Sequence, residues 1–143
     1  MTCLFDLPAS LGLAQRARRS GHSTLEVTVG TQHPEGNWLM IDDRVLSSAT
    51  VADTRSLRRR GLLGQRDCDG ALVLPGTGSV HTMGMSMPID VLFCDRSGDV
   101  VAMYTLPPWR ITRPRWRISM AVETAAGEFE RWGIAIGDRI TLA

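Results

Sequence analysis

The chain has 143 residues, 43% of them hydrophobic and 22% charged, which suits one domain with a real core and is short for two independent ones. A formal net charge of +1 gives no overall field to draw nucleic acid or an anionic membrane, so either partner would need a local cluster. The three cysteines Cys3, Cys68 and Cys94 are odd in number and lack CxxC spacing, which argues against a disulfide scaffold and a thiolate zinc site and fits a reducing cytoplasm.

The first apolar stretch contains Asp6 and Pro8 and precedes its basic run, the reverse of a secretory signal. No window approaches the roughly 18 apolar residues of a membrane span, and no membrane contact is expected. Residues 1–37 read as a leader or a loosely attached extension. Only Leu25 to Val29 alternate like a strand, and His22 and His33 read as surface histidines.

Residues 38–143 read as a single β-rich domain. WLMI and RVLSSATVA are strand candidates separated by a turn at Asp42-Asp43. Ser56 could cap a short helix carrying Leu57, Arg58, Arg59 and Arg60, stopped by Gly61 or Gly64, with the arginines as a solvated face. ALVLP, from Ala71, reads as a strand halted by Pro75 and Gly76. HTMGMSMPID, from His81 to Asp90, has His81, Met83, Met85 and Met87 at every second position; read as a strand running into IDVLFCD, it would point all four side chains the same way. IDVLFCD and DVVAMY flank Arg96-Ser97-Gly98 as a β-hairpin, with Cys94 as a small buried hydrophobe.

TLPPWRITRPRWRIS, with its three prolines, reads as a loop or lid. ISMAVE resumes strand character, and AGEFERWG predicts a short helix with Phe129 and Trp132 on one face. A turn at Gly137-Asp138 leads to a last strand, Arg139 to Leu142. About six or seven strands and two short helices, without a βαβ rhythm, predict a mainly β fold, with α+β as the alternative. A small compact antiparallel or mixed sheet, barrel-like, is expected.

Four motifs, RRRGLLGQ, ALVLP, HTMGMSMPIDVLFCD and AVETAAGEFERWGIAIGDRI, follow one another in this order. Their order and spacing resemble the domain-of-unknown-function family 192, also called uncharacterised protein family 0127, over residues of about 44–142. In the common form of that family the segment before a Pro-hydrophobic-Asp motif reads Trp-Met-Lys-Asn-Thr. Here His81, Thr82, Met83, Gly84 and Met85 occupy those positions, while Pro88, Ile89 and Asp90 keep the motif, which resembles a variant subgroup with histidine in place of the aromatic. Gly61, Ala126-Gly127 and Gly137-Asp138 also match family positions. The resemblance implies a small β-rich domain and no assigned activity.

Several chemistries compete for these residues. His81, Met83, Met85 and Met87 could be soft ligands for copper(I), but Gly84 and Pro88 interrupt the strand that would align them, and methionines also pack well; no resident metal or cofactor is expected. Asp90 must be solvated, bonded to backbone or aimed into a site, and with His81, Thr82, Met85 and Pro88 it defines a candidate pocket. An enzyme using His81 and Asp90 in acid–base chemistry is an alternative, although no nucleophile elbow accompanies them. PGTGS lacks the Lys-Ser/Thr of a phosphate loop, and RDCDG lacks the ligands of a calcium loop. Arg110, Arg113, Arg115 and Arg117 interleave with Trp109 and Trp116, a pattern for protein or ligand contact or for a structural loop, with nucleic acid the lesser alternative. The expectation is a non-catalytic binding or accessory domain for an unknown small ligand or protein, its shallow pocket beside the His81 to Asp90 strand and partly covered by the loop of residues 109–116.

Overall fold

The computed structural model describes residues 37–65 and 68–143; the leader up to residue 36, with its expected strand and His22 and His33, lies outside the described residues, and Asn37 opens the first strand. Among the described residues the elements are β1 (Asn37–Ile41), β2 (Arg44–Val51), α1 (Arg55–Arg60), β3 (Ala71–Pro75), β4 (Ile89–Cys94), β5 (Val100–Leu106), β6 (Met120–Ala125), α2 (Glu128–Trp132) and β7 (Ile140–Leu142). They form one mainly β fold, a curled half-barrel sheet in the order β5-β4-β6-β3-β2-β1-β7, with two short helices. The sheet is mixed: β2 and β3 run parallel, and every other pair is antiparallel. A parallel pair needs a crossover, and α1 lies in that connection.

The adjacent strands β4, β6 and β3 carry the longest buried runs because both their faces are covered. Leu74, Phe93 and Ala121 share one register row and pack into a first core with Leu62, Val80 and Met85. Val73, Leu92 and Val122 form the next row and face the opposite way, into a second core with Leu39, Phe129, Trp132 and Ile140. Cys94 belongs to this second core; burial, with smaller effects from Asp95 and Asp99, pushes its thiol up to about 12, so it is a packing group.

Local chemistry sets the turns. Asp42 takes a left-handed φ of 51° in the β1–β2 hairpin. At the β4–β5 turn, Asp95 accepts hydrogen bonds from the amides of Ser97 (2.8 Å) and Asp99 (3.1 Å). Gly98 there lies against β7: a Cβ would come within 2.6 Å of the Ile140 carbonyl, and the Ile140 amide donates to the Gly98 carbonyl at 2.9 Å. The Val100 amide donates to Asp138 and the Gly137 amide to Val100, while Arg139 pairs with Asp99 at 2.8 Å. The hairpin tip is thus fastened to the last strand, although β5 and β7 stand at opposite ends of the strand order.

Two expectations require correction. The helix cap is Thr54, whose hydroxyl accepts from the Leu57 amide at 3.2 Å, and Ser56 lies inside the helix. Residues 81–88 form no strand; β4 starts at Ile89. The Met85 amide closes a turn onto the Thr82 carbonyl at 3.1 Å, Gly84 sits at a φ of 78° that a side chain resists, and Pro88 has no donor for a ladder. The period-two set therefore scatters: His81 and Met83 are exposed, Met85 is in the first core, and Met87 packs half-buried against it.

Candidate functional site

With the strand gone, residues 78–82 form a flap with the loop that follows β5. The Thr112 amide donates to Val80, Thr82 to Arg110, Trp109 to Thr82 and Arg115 to Gly78, all within 2.8–2.9 Å. Gly78 is needed for this approach, since a Cβ would lie 2.4 Å from the Arg115 carbonyl. Thr82 is fully buried; its hydroxyl donates to the Pro107 carbonyl at 2.7 Å and accepts from the Arg110 amide at 2.9 Å. It bolts the flap together and presents no hydroxyl to a pocket.

A cleft of about 590 Å³ opens between α1 and this flap, over β3 and β6. Arg55, Arg58, Arg59 and Arg60 line one side; Thr77, Ser79 and His81 line the other. The arginine run expected to be a solvated face therefore borders a concavity. Arg58 is partly spent on the carbonyl of Asp53, at 3.2 Å, and none of the four forms an ion pair with a carboxylate among the described residues.

Glu123 of β6 also lines this cleft. It stands in a register row between Leu72 and Val91, in the first-core face of the sheet, and is only 4% exposed. Its carboxylate accepts from the Leu62 amide at 3.1 Å. Burial pushes its pKa up to about 7, partly offset by the Leu62 hydrogen bond. The residue before Leu62 must be small: at Gly61, with φ 50°, a Cβ would come within 2.8 Å of Glu123 Oε2.

Asp90 lies elsewhere. It shares its strand face with Leu92 and Cys94, the second-core side, and lines a separate shallow cleft of about 340 Å³ with Met103 and Phe129. Its oxygens accept from the Thr105 hydroxyl (2.7 Å) and from the amides of Gly127 (2.8 Å) and Phe129 (3.2 Å), so it holds the start of α2 to the sheet. His81 and Asp90 thus border different clefts on opposite faces of the sheet, and the acid–base pair is not assembled. Pro88 is exposed, and Met85 is a core residue. His81 Nδ1 accepts from the Met83 amide at 3.3 Å. No group of three or more His, Cys, Asp or Glu stands at metal-binding distance among the described residues.

The loop of residues 109–116 does not cover the cleft. Trp109 is 61% exposed, Ile111 69% and Trp116 90%. Arg115 lies over the Tyr104 ring, 5.6 Å from its centroid, and bonds to the Tyr104 hydroxyl; Arg110 and Arg113 are exposed. Sequence reasoning missed Glu123 and the arginine wall. The available signal was a carboxylate inside the apolar run MAVETA, the same signal that singled out Asp90.

The fold and cleft define a small curled half-barrel with one buried carboxylate beneath an arginine rim. The chain belongs to the family described as Uncharacterized ACR (DUF192), which matches residues 38–142. Similar curated proteins include a UPF0127 protein of Thermococcus sibiricus, 35% identical over 96 residues (63% of this chain, 62% of that protein). A UPF0127 protein of Pyrococcus furiosus is 36% identical over 62 residues (43% of this chain, 53% of that protein), so the chain spans little more than half the length of such relatives. Two solved structures share the fold. One, from Sinorhizobium meliloti and described as a candidate transcription regulator, has a TM-score of 0.64 at 22% identity, covering 73% of this chain and 90% of that one. The other, a protein of unknown function from Novosphingobium aromaticivorans, has a TM-score of 0.62 at 18% identity, covering 74% and 83%. At these identities the likeness shows the fold alone.

Proposed function

We propose that the protein is a binding or accessory domain whose α1–flap cleft holds a small anionic ligand, with Glu123 accepting a hydrogen bond from a donor group on the same molecule. The observation that carries this reading is the placing of an arginine wall, without carboxylate partners among the described residues, beside a nearly inaccessible carboxylate that receives one backbone amide. Guanidinium forks suit carboxylates and phosphates, and a buried acceptor favours ligands that can satisfy it. A cleft of about 590 Å³ is of a size that holds small ligands. We propose a cytoplasmic location, a reading supported by the buried Cys94 thiol, which forms no disulfide among the described residues.

Calorimetric titration with inorganic phosphate and with citrate tests the binding reading. Binding of at least one, weakened about tenfold or more by Arg59→Ala together with Arg60→Ala, is expected. Equal affinity in the double variant would place the anion elsewhere. A second reading, acid–base chemistry, passes from His81 and Asp90 to Glu123, because a carboxyl that titrates at about 7 is suited to proton transfer. In any assay that detects turnover, an unchanged pH–rate profile in Glu123→Gln would exclude that role.

A further inference from the structure

We propose that the loop of residues 107–119 docks the protein on an anionic phospholipid surface. The loop leaves Trp109, Ile111 and Trp116 mostly uncovered, Trp116 most of all at 90% exposure. Exposed single hydrophobes are ordinary, but two indoles and an isoleucine within eight residues form a concentrated apolar load. Between Asp99 and Glu123 the sequence has no acidic residue, while Arg110, Arg113, Arg115 and Arg117 fall within that span. None of the four pairs with a carboxylate among the described residues. Arg115 is held on Tyr104 and Arg110 donates to the Trp109 carbonyl at 3.2 Å, while all four arginines remain exposed.

The presentation is fixed by backbone bonds. The four main-chain hydrogen bonds to residues 78–82 and the buried hydroxyls of Thr82 and Thr112 hold the loop to the flap. Within that frame Trp109 and Arg117 keep left-handed φ values of 61° and 62°, which non-glycine residues adopt at a cost. A rigid loop loses little conformational freedom when its side chains enter an interface. Indoles partition to the headgroup level of a bilayer, and guanidinium groups beside them meet lipid phosphates, so apolar burial and charge complementarity act together. A lipid surface satisfies Ile111 as well as the indoles, whereas single-stranded nucleic acid would use only the aromatic faces.

The test is co-sedimentation of the full chain with vesicles of three parts phosphatidylcholine to one part phosphatidylglycerol, against pure phosphatidylcholine. Sedimentation with the anionic vesicles alone is expected, with a blue shift of tryptophan emission and weakening as salt is raised. Trp109→Ala with Trp116→Ala should abolish the shift and most of the binding at unchanged melting temperature. Arg113→Gln should weaken partition about fivefold. Equal sedimentation with neutral vesicles, an unaffected double tryptophan variant, or binding of single-stranded oligonucleotide in place of vesicles would each overturn the proposal.

Discussion

Asp90 and Glu123 are both carboxylates buried in adjacent, paired strands, one register step apart, and they have opposite fates. Asp90 pairs with Thr124 and Glu123 with Val91, so the alternation of the sheet sends them to opposite faces. Asp90 receives a hydroxyl and two amides, and it ties α2 to β4 and β5. Glu123 receives one amide, and its burial is expressed as a raised pKa beside a wall of arginines. A saturated buried carboxylate is a structural bond; an under-supplied one at the base of a cleft is a vacancy for chemistry.

Substitution of Asp90 is the harshest test of this contrast. Asp90→Ala should cost about 3–4 kcal/mol of unfolding free energy, because it removes three hydrogen bonds to a carboxylate and leaves the buried Phe129 amide unpaired at the start of α2. Chemical denaturation reads that loss, and anion affinity in the folded fraction should not change. Asp90→Ala with wild-type stability would place the anchor of α2 elsewhere.

The pH response of Glu123 sharpens the other side. Its folded pKa lies above its ordinary value of 4.5, at about 7, so the native state holds a proton that the unfolded chain releases. The stabilising contribution is complete below pH 4.5 and is lost as pH rises through 7, a swing of about 3 kcal/mol. Glu123→Gln should flatten that slope while still accepting from Leu62; a slope identical to wild type would assign it to another group. The smallest effect belongs to Gly61→Ala, where the left-handed φ and the 2.8 Å approach to Oε2 should together cost about 1–2 kcal/mol. That variant should also shift the Glu123 titration, which carbon-13 spectra of the carboxyl would follow.

Most of the fold was legible in the sequence. The apolar runs of β3 and β4 advertise their two-sided burial, the turn residues around Gly98 mark the hairpin, and the family motifs point to the same compact β domain. His81 to Pro88 was legible in part: Gly84 and Pro88 already argued against aligned methionines, and they decide the backbone, but the pocket reading still kept a strand from His81 to Asp90. The cleft was illegible for a different reason. Arg55 to Arg60 and Thr77 to His81 meet only after β3 and β6 have paired, and nothing local distinguishes a solvated arginine from one bordering a concavity. Thr82 looked like a site hydroxyl because its partners, at Pro107 and Arg110, lie some 25 residues or more away.

The fastening of the β4–β5 tip to β7 has a kinetic consequence. Residues 98–100 and 137–140 come together across opposite ends of the strand order, so their contacts form only once the intervening strands are in register. Such late-forming contacts are absent from the folding transition state and slow the exit from the native state more than they speed entry. The half-barrel thus carries a clasp whose loosening shortens the lifetime of the native state while leaving the rate of assembly nearly unchanged.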